Sequence, residues 1–243
     1  MAENSLTTNG RLNLLFEYWK AKSKFLNDSD YFVSDGIMNN EESWMSKKKR
    51  IAFLLKDQPQ KEGNWSDDVR NWMDDKIFTK TFFHKIANLF WGLSLSTERE
   101  NAQWGYDEIE KHTNEVKDFF MKEPFAYIEC KKQPGGPDIK DKDLTYYINR
   151  YKYLLQEEIE IINPNIIVCM GGPIFDFVLK MYGATEKNLV AERNVYYIPS
   201  LRKVILYAGH PADRRNGYEK HYEGVMWWYR KFLHSEAYKD FCV

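Results

Sequence analysis

The chain has 243 residues, of which 43% are hydrophobic and 29% charged, and its net charge is −1. That balance suits a soluble globular protein with a sizeable core. It leaves no overall basic excess, so any contact with a polyanion must come from a local patch. Aromatic residues reach 16%, with eight Trp and sixteen Tyr, and such residues supply core mass more often than stacking surfaces. The three cysteines, Cys130, Cys169 and Cys242, form no Cys-x-x-Cys pair. This argues against a zinc ribbon or an iron–sulfur site and fits a reducing compartment. No apolar run approaches the roughly 18–20 residues of a membrane span, and the polar start MAENSLTTNG has no signal-peptide pattern. A cytoplasmic protein with no membrane partner is expected.

Residues 1–10 read as a flexible lead-in, and 11–50 as a helical N-terminal extension. Leu12, Leu15, Phe16 and Trp19 have helical spacing within 11–26. Residues 27–50 are polar and irregular, and end in Lys47-Lys48-Lys49-Arg50. That run either meets phosphate or forms the solvated approach to a strand. The first strand is 51–55, IAFLL, whose continuous apolar character suits a parallel sheet covered on both faces. A long polar loop follows, then helices over 67–72, 79–95 and 106–121. The second strand is 125–130, FAYIEC, followed by KKQPGGPD and an amphipathic helix over 143–162 that Pro164 ends. The third strand, 166–170, runs into Gly171-Gly172-Pro173, with the proline in the first turn of a helix reaching 182. A short edge strand over 195–199, a fourth main strand over 204–207 and a final helix over 218–234 complete the order. The alternation predicts one α/β domain over 1–243: a three-layer α/β/α sandwich with a short, four-stranded, mainly parallel sheet and right-handed crossovers.

Parallel strands would bring four loops to one edge, where open α/β sheets bind ligands. These begin at Lys56-Asp57-Gln58-Pro59, at Glu129 and the following Lys131 to Gly136, at Gly171-Gly172, and at Gly209-His210-Pro211. Gly171-Gly172-Pro173 has two readings: backbone N–H groups that receive a phosphate, or a turn that needs glycine for close packing. It lacks Walker or dinucleotide spacing. No G-x-S-x-G elbow supports a hydrolase triad. His84, His112, His221 and His234 lack metal-pair spacing and read as structural or exposed.

Taken in order, these four strand ends resemble the uracil-DNA glycosylase superfamily over residues 51–233. In that family the first strand leads into a G-[Q/E]-[D/N/A]-P loop that holds water or stabilises the sugar cation; Lys56-Asp57-Gln58-Pro59 stands there. The second strand ends in a base-reading Asn; Glu129 stands there, ahead of a Lys- and Pro-containing loop. The third runs into a glycine and a helix, as Met170-Gly171-Gly172 does. The fourth ends in H-P-S, and here the residues are His210-Pro211-Ala212, before a loop that in the family inserts into DNA. The resemblance implies an enzyme that flips a base out of DNA and hydrolyses its N-glycosidic bond without a metal or cofactor.

Asp57, His210 and Gln58 form the catalytic set this implies. Gln58 is neutral and cannot act as a base near pH 7, so Asp57 is expected as general base or cation stabiliser. Its structural alternative is a cap or loop turn. His210 would donate to the base O2 as the leaving group gains negative charge. Glu129 would read the base. A carboxylate only accepts hydrogen bonds, so it would repel uracil O4 and favour the exocyclic amine of a cytosine derivative. A modified cytosine of the kind found in some viral DNA would make this a defence or processing enzyme. Trp65 either stacks on the extruded base or packs in the core. Lys131, Lys132, Gly135, Gly136, Arg214, Arg215 and Asn216 are the expected DNA contacts. Gln58 and Ala212 also fit a catalytically silent module of this fold that binds nucleic acid or a protein.

Overall fold

The computed structural model describes residues 6–26, 31–57, 68–73, 76–99, 104–135, 139–213, 215 and 217–242. In chain order these form α1 (Thr8–Phe25), β1 (Gly36–Met38), β2 (Ile51–Leu55), α2 (Thr81–Leu95), α3 (Tyr106–Lys111), α4 (Thr113–Lys122) and β3 (Phe125–Glu129). Then come α5 (Asp141–Ile162), β4 (Ile166–Met170), α6 (Gly172–Met181), β5 (Leu189–Ala191), β6 (Val195–Ile198), β7 (Lys203–Ala208), α7 (Tyr218–Leu233) and α8 (Glu236–Cys242).

The sheet has seven strands in the order β1-β3-β2-β4-β7-β6-β5, not the four expected. The four expected strands are its contiguous centre: β2 pairs in parallel with β3 and β4, and β4 with β7. The additions are antiparallel. β1 pairs with β3, β6 with β7, and β5 with β6, so β6 is an interior strand rather than an edge. β1 and β5 are three residues each, too short to display an alternation in sequence. A side chain also helps to hold β1. Asn9 Oδ1 accepts from Ile37 N at 3.0 Å, and its Nδ2 donates to Ile37 O at 3.0 Å, satisfying the backbone of a sheet edge. The first turn of α1, where Asn9 sits, falls within the expected lead-in. Gly36, at φ +142°, makes this approach possible, because a Cβ there would lie 2.7 Å from both Asn9 Oδ1 and Leu12 Cδ1.

The central strands are buried, apart from the half-buried Tyr207 of β7, and divide their side chains between two faces. Phe53, Leu55 and Tyr127 pack with Ile86, Phe90, Val116 and Tyr229 of α2, α4 and α7. Ala52, Leu54 and Ile128 pack with Phe16, Trp19, Leu155 and Val178 of α1, α5 and α6. Helices thus cover both faces. The expected helix over 106–121 is two, α3 and α4, broken at His112 (φ −106°, ψ 27°).

A group of charges is buried between α1, β3 and α5. Lys132 Nζ donates to Asp35 Oδ1 and Oδ2 at 2.7 and 2.6 Å and to Glu158 Oε1 at 2.7 Å. All three side chains are 0% exposed. Burial alone would strip Lys132 of its proton; Asp35 and Glu158 overcome that and raise its pKa. Burial, with the negative charge of Asp35, pushes the Glu158 carboxyl well above its ordinary value. The rings of Phe16 and Trp19 lie 5.0 and 5.6 Å from Lys132 Nζ, within cation–π range. Lys132 is therefore corrected from a DNA contact to a core residue: an ammonium with no exposed surface cannot meet a phosphate. Lys132→Ala leaves Asp35 buried without its cation and is expected to destabilise the fold by about 3–5 kcal/mol in urea unfolding. An unchanged unfolding midpoint would contradict this role.

Candidate active site

Parallel pairing brings the carboxyl ends of β3, β2, β4 and β7 to one edge, in that order. The ladder runs past the strands, with Cys130 N donating to Leu55 O and Lys131 N to Lys56 O, both at 2.9 Å. Along the edge the chain presents Lys131, Asp57, Gly171 and His210. Neighbouring strands lie about 4.8 Å apart, so the strands leading to Asp57 and His210 are separated by two spacings, roughly 10 Å. Gly171, at φ +150°, sits on the strand between them, and Lys56 leans across it: a Cβ on Gly171 would lie 3.4 Å from Lys56 Cε. A Cβ on Gly172 would meet nothing within 4 Å. The glycines keep the middle of the edge open.

Asp57 is largely buried. Its Oδ2 accepts from Lys131 Nζ at 3.1 Å, and Lys131 also donates to Gln133 O. Burial raises the Asp57 pKa, against the opposing pull of Lys131 and Lys56. A raised proton affinity improves a carboxylate as a base. Gly135 makes room for this pair, since a Cβ there would lie 2.6 Å from Asp57 Oδ2 and 2.9 Å from Lys131 Nζ. Lys131 belongs to the site interior and holds Asp57.

His210 is half-buried on the other side of the glycines. Its Nδ1 faces the backbone N–H of Ala212 at 3.3 Å, which places the ring proton on Nε2 in the neutral form. Burial, then the positive charge of Lys56 and the neighbouring His221, lower its pKa to about 4. Near neutral pH it is an uncharged donor through Nε2–H. His221 of α7 is buried, and its Nε2 lies 2.9 Å from Gly209 O, fixing the residue before His210. A row of rings leads from His210 toward β3: His210 to Phe82 at 5.8 Å, Phe82 to Phe83 at 5.0 Å and Phe83 to Tyr127 at 6.0 Å between centroids. Tyr127 OH donates to Glu129 Oε1 at 2.6 Å, while Glu129 N donates to Asp35 Oδ2 at 2.7 Å. The Glu129 side chain is wholly buried, so it lies beneath the edge rather than on it, and its expected contact with a base is corrected: a carboxylate with no exposed surface cannot reach one.

Beyond His210, Arg215 is exposed and forked onto Asp213, with Nε to Oδ1 at 3.0 Å and Nη2 to Oδ2 at 2.9 Å. These hydrogen bonds hold the Asp213 carboxyl at about 2. Lys85 of α2 donates to Asp213 O at 3.3 Å. Lys85 was not a sequence candidate; its signal was a lysine set among Phe83, Ile86 and Leu89 on a buried helical stripe. Gln58, Trp65, Gly136, Arg214 and Asn216 lie outside the described residues. Among the described residues no group of three or more His, Cys, Asp or Glu could hold a metal ion, and no helix is long and apolar enough to cross a membrane. No protein-family model matches the chain, and no curated protein matches it.

His210 and His221 both titrate near 4 in the fold, against 6.5 for an ordinary histidine. Between those values the unfolded chain binds protons that the folded chain refuses. Their contribution to stability is therefore complete above about pH 6.5 and is lost as pH falls toward 4. NMR titration of the imidazole C–H signals should find both rings neutral at about pH 6; a His210 midpoint at the ordinary value would contradict the desolvated site.

Proposed function

We propose that the chain is a DNA glycosylase, a divergent member of the uracil-DNA glycosylase superfamily, that hydrolyses the N-glycosidic bond of a flipped-out base. The observation that carries this reading is the pairing of a desolvated carboxylate, Asp57, with an uncharged imidazole donor, His210, across a glycine-floored gap about two strand spacings wide. A nucleoside between them has its sugar toward Asp57 and its base toward His210. The target must first leave the stack, since its glycosidic carbon is inaccessible in the duplex. As the bond to C1′ breaks, positive charge grows on the sugar and negative charge on the base. Asp57 stabilises the former and takes a proton from the water that adds to C1′. His210 donates from Nε2 to the base O2. Lys56 favours the neutral imidazole that this donation needs.

Glu129, wholly buried beneath the edge, holds the Tyr127 hydroxyl and has no exposed surface with which to meet a base. The substrate class is uracil, a deaminated base or a modified cytosine of the kind found in viral DNA, and the last would make the role defence or DNA processing. Arg215, flanked in sequence by Arg214 and Asn216, grips DNA beside the site. The Asp57–Lys131 ion pair favours a second reading, because a carboxylate already held by a lysine is a weaker base: a catalytically silent module of the same fold that binds nucleic acid or a protein.

Abasic-site formation on base-modified duplexes and single strands, read by alkaline cleavage, separates the two. Cleavage is expected, with Asp57→Ala and His210→Ala each losing about 10²-fold or more. Binding without cleavage on any member of the panel would favour the silent module.

A further inference from the structure

The solvent face of α5 is built for a role that the strand-end site leaves unused. Tyr146 is 64% and Tyr153 71% exposed; they are seven residues apart, on either side of a kink at Tyr151 (φ −114°, ψ 16°). Each ring carries a cation. The Arg150 guanidinium lies 5.9 Å from the Tyr146 centroid, with Nη1 donating to the Tyr146 hydroxyl at 3.1 Å. Lys152 Nζ lies 4.7 Å from the Tyr153 centroid. Arg150 Nη2 also reaches Leu26 O at 3.4 Å, which brings the end of α1 alongside, and there Phe25 is 84% exposed. α5 begins at Asp141, whose carboxylate accepts from Lys56 Nζ at 3.1 Å, next to Asp57. Tyr146 stands five residues after Asp141, on the half of α5 nearer the strand-end edge.

We infer that this face of α5, with Phe25, binds the single-stranded DNA that flanks the target base. Exposed aromatic faces interleaved with cations are the composition of a stacking platform for unpaired bases. Duplex bases hide their faces and offer such rings nothing to stack on. Lys142, Arg150 and Lys152 supply the cations of this face, with Asp141 and Asp143 at its start, and Tyr153 also lines an open groove of about 450 Å³ with Arg11, Glu157 and Glu160. The inference rests on the glycosylase reading for where the strand leads, while the binding itself needs no catalysis.

Fluorescence anisotropy with a labelled oligothymidylate and a matching duplex tests it on the full chain. Tyr146→Ala/Tyr153→Ala is expected to bind the single strand about tenfold or more weakly, with duplex affinity and thermal unfolding unchanged. Lys142→Glu is expected to weaken binding and flatten its salt dependence. Equal single-strand affinity in the tyrosine variant, no single-strand binding by the wild type, or a change confined to self-association in sedimentation would each overturn the inference. Loss of single-strand binding in a chain that excises no base would leave this surface standing and remove the glycosylase reading. Excision with unchanged affinity would do the reverse.

Discussion

An ammonium group cannot keep its charge in a protein interior without partners, and that constraint organises the structure around Lys132. Asp35 comes from the segment before β1, Lys132 from the exit of β3, and Glu158 from α5. Satisfying one charge ties the N-terminal segment and the longest helix to the sheet. Asp35 also accepts the backbone N–H of Glu129, and Val33 N donates to Lys132 O at 2.7 Å. Glu129 is thus set from both its backbone and its side chain. Lys131 is the immediate neighbour of Lys132, and while Lys132 goes to Asp35 and Glu158 in the core, Lys131 goes to Asp57. Replacing such a buried group with apolar residues of similar volume is often neutral or stabilising, so its role here is better described as fixing geometry than as supplying stability.

The strand-end site depends on that geometry. Lys56 reaches over Gly171 to Asp141, and its charge acts on both Asp57 and His210. It opposes the protonation of the carboxylate and the protonation of the imidazole together. Burial works on the two in opposite directions, raising the affinity of Asp57 for a proton and lowering that of His210. One cation and one desolvated edge thus act on both groups, raising the proton affinity of Asp57 and leaving His210 a neutral imidazole near neutral pH.

Much of the centre was legible in the sequence. The runs 51–55 and 166–170 match β2 and β4, because continuous apolar runs bounded by polar loops have few alternatives. The convergence of Asp57, Lys131, Gly171 and His210 followed from parallel strands alone. β1 and β5 were not legible, since three residues carry no period and β1 is held partly by the Asn9 side chain. The burial of Lys132 was not legible either. Lys131 and Lys132 look alike in sequence, and only the distant Asp35 and Glu158 distinguish them. Lys85 hid for a related reason, as one cation within an apolar helical stripe.

The account turns on whether this edge of the sheet breaks a glycosidic bond. Mass spectrometry of an oligonucleotide carrying one modified cytosine, incubated with the full chain, reads that directly. The account predicts release of the free base together with a strand whose mass has lost that of the free base and gained that of one water. A strand of unchanged mass that remains bound to the protein would contradict it.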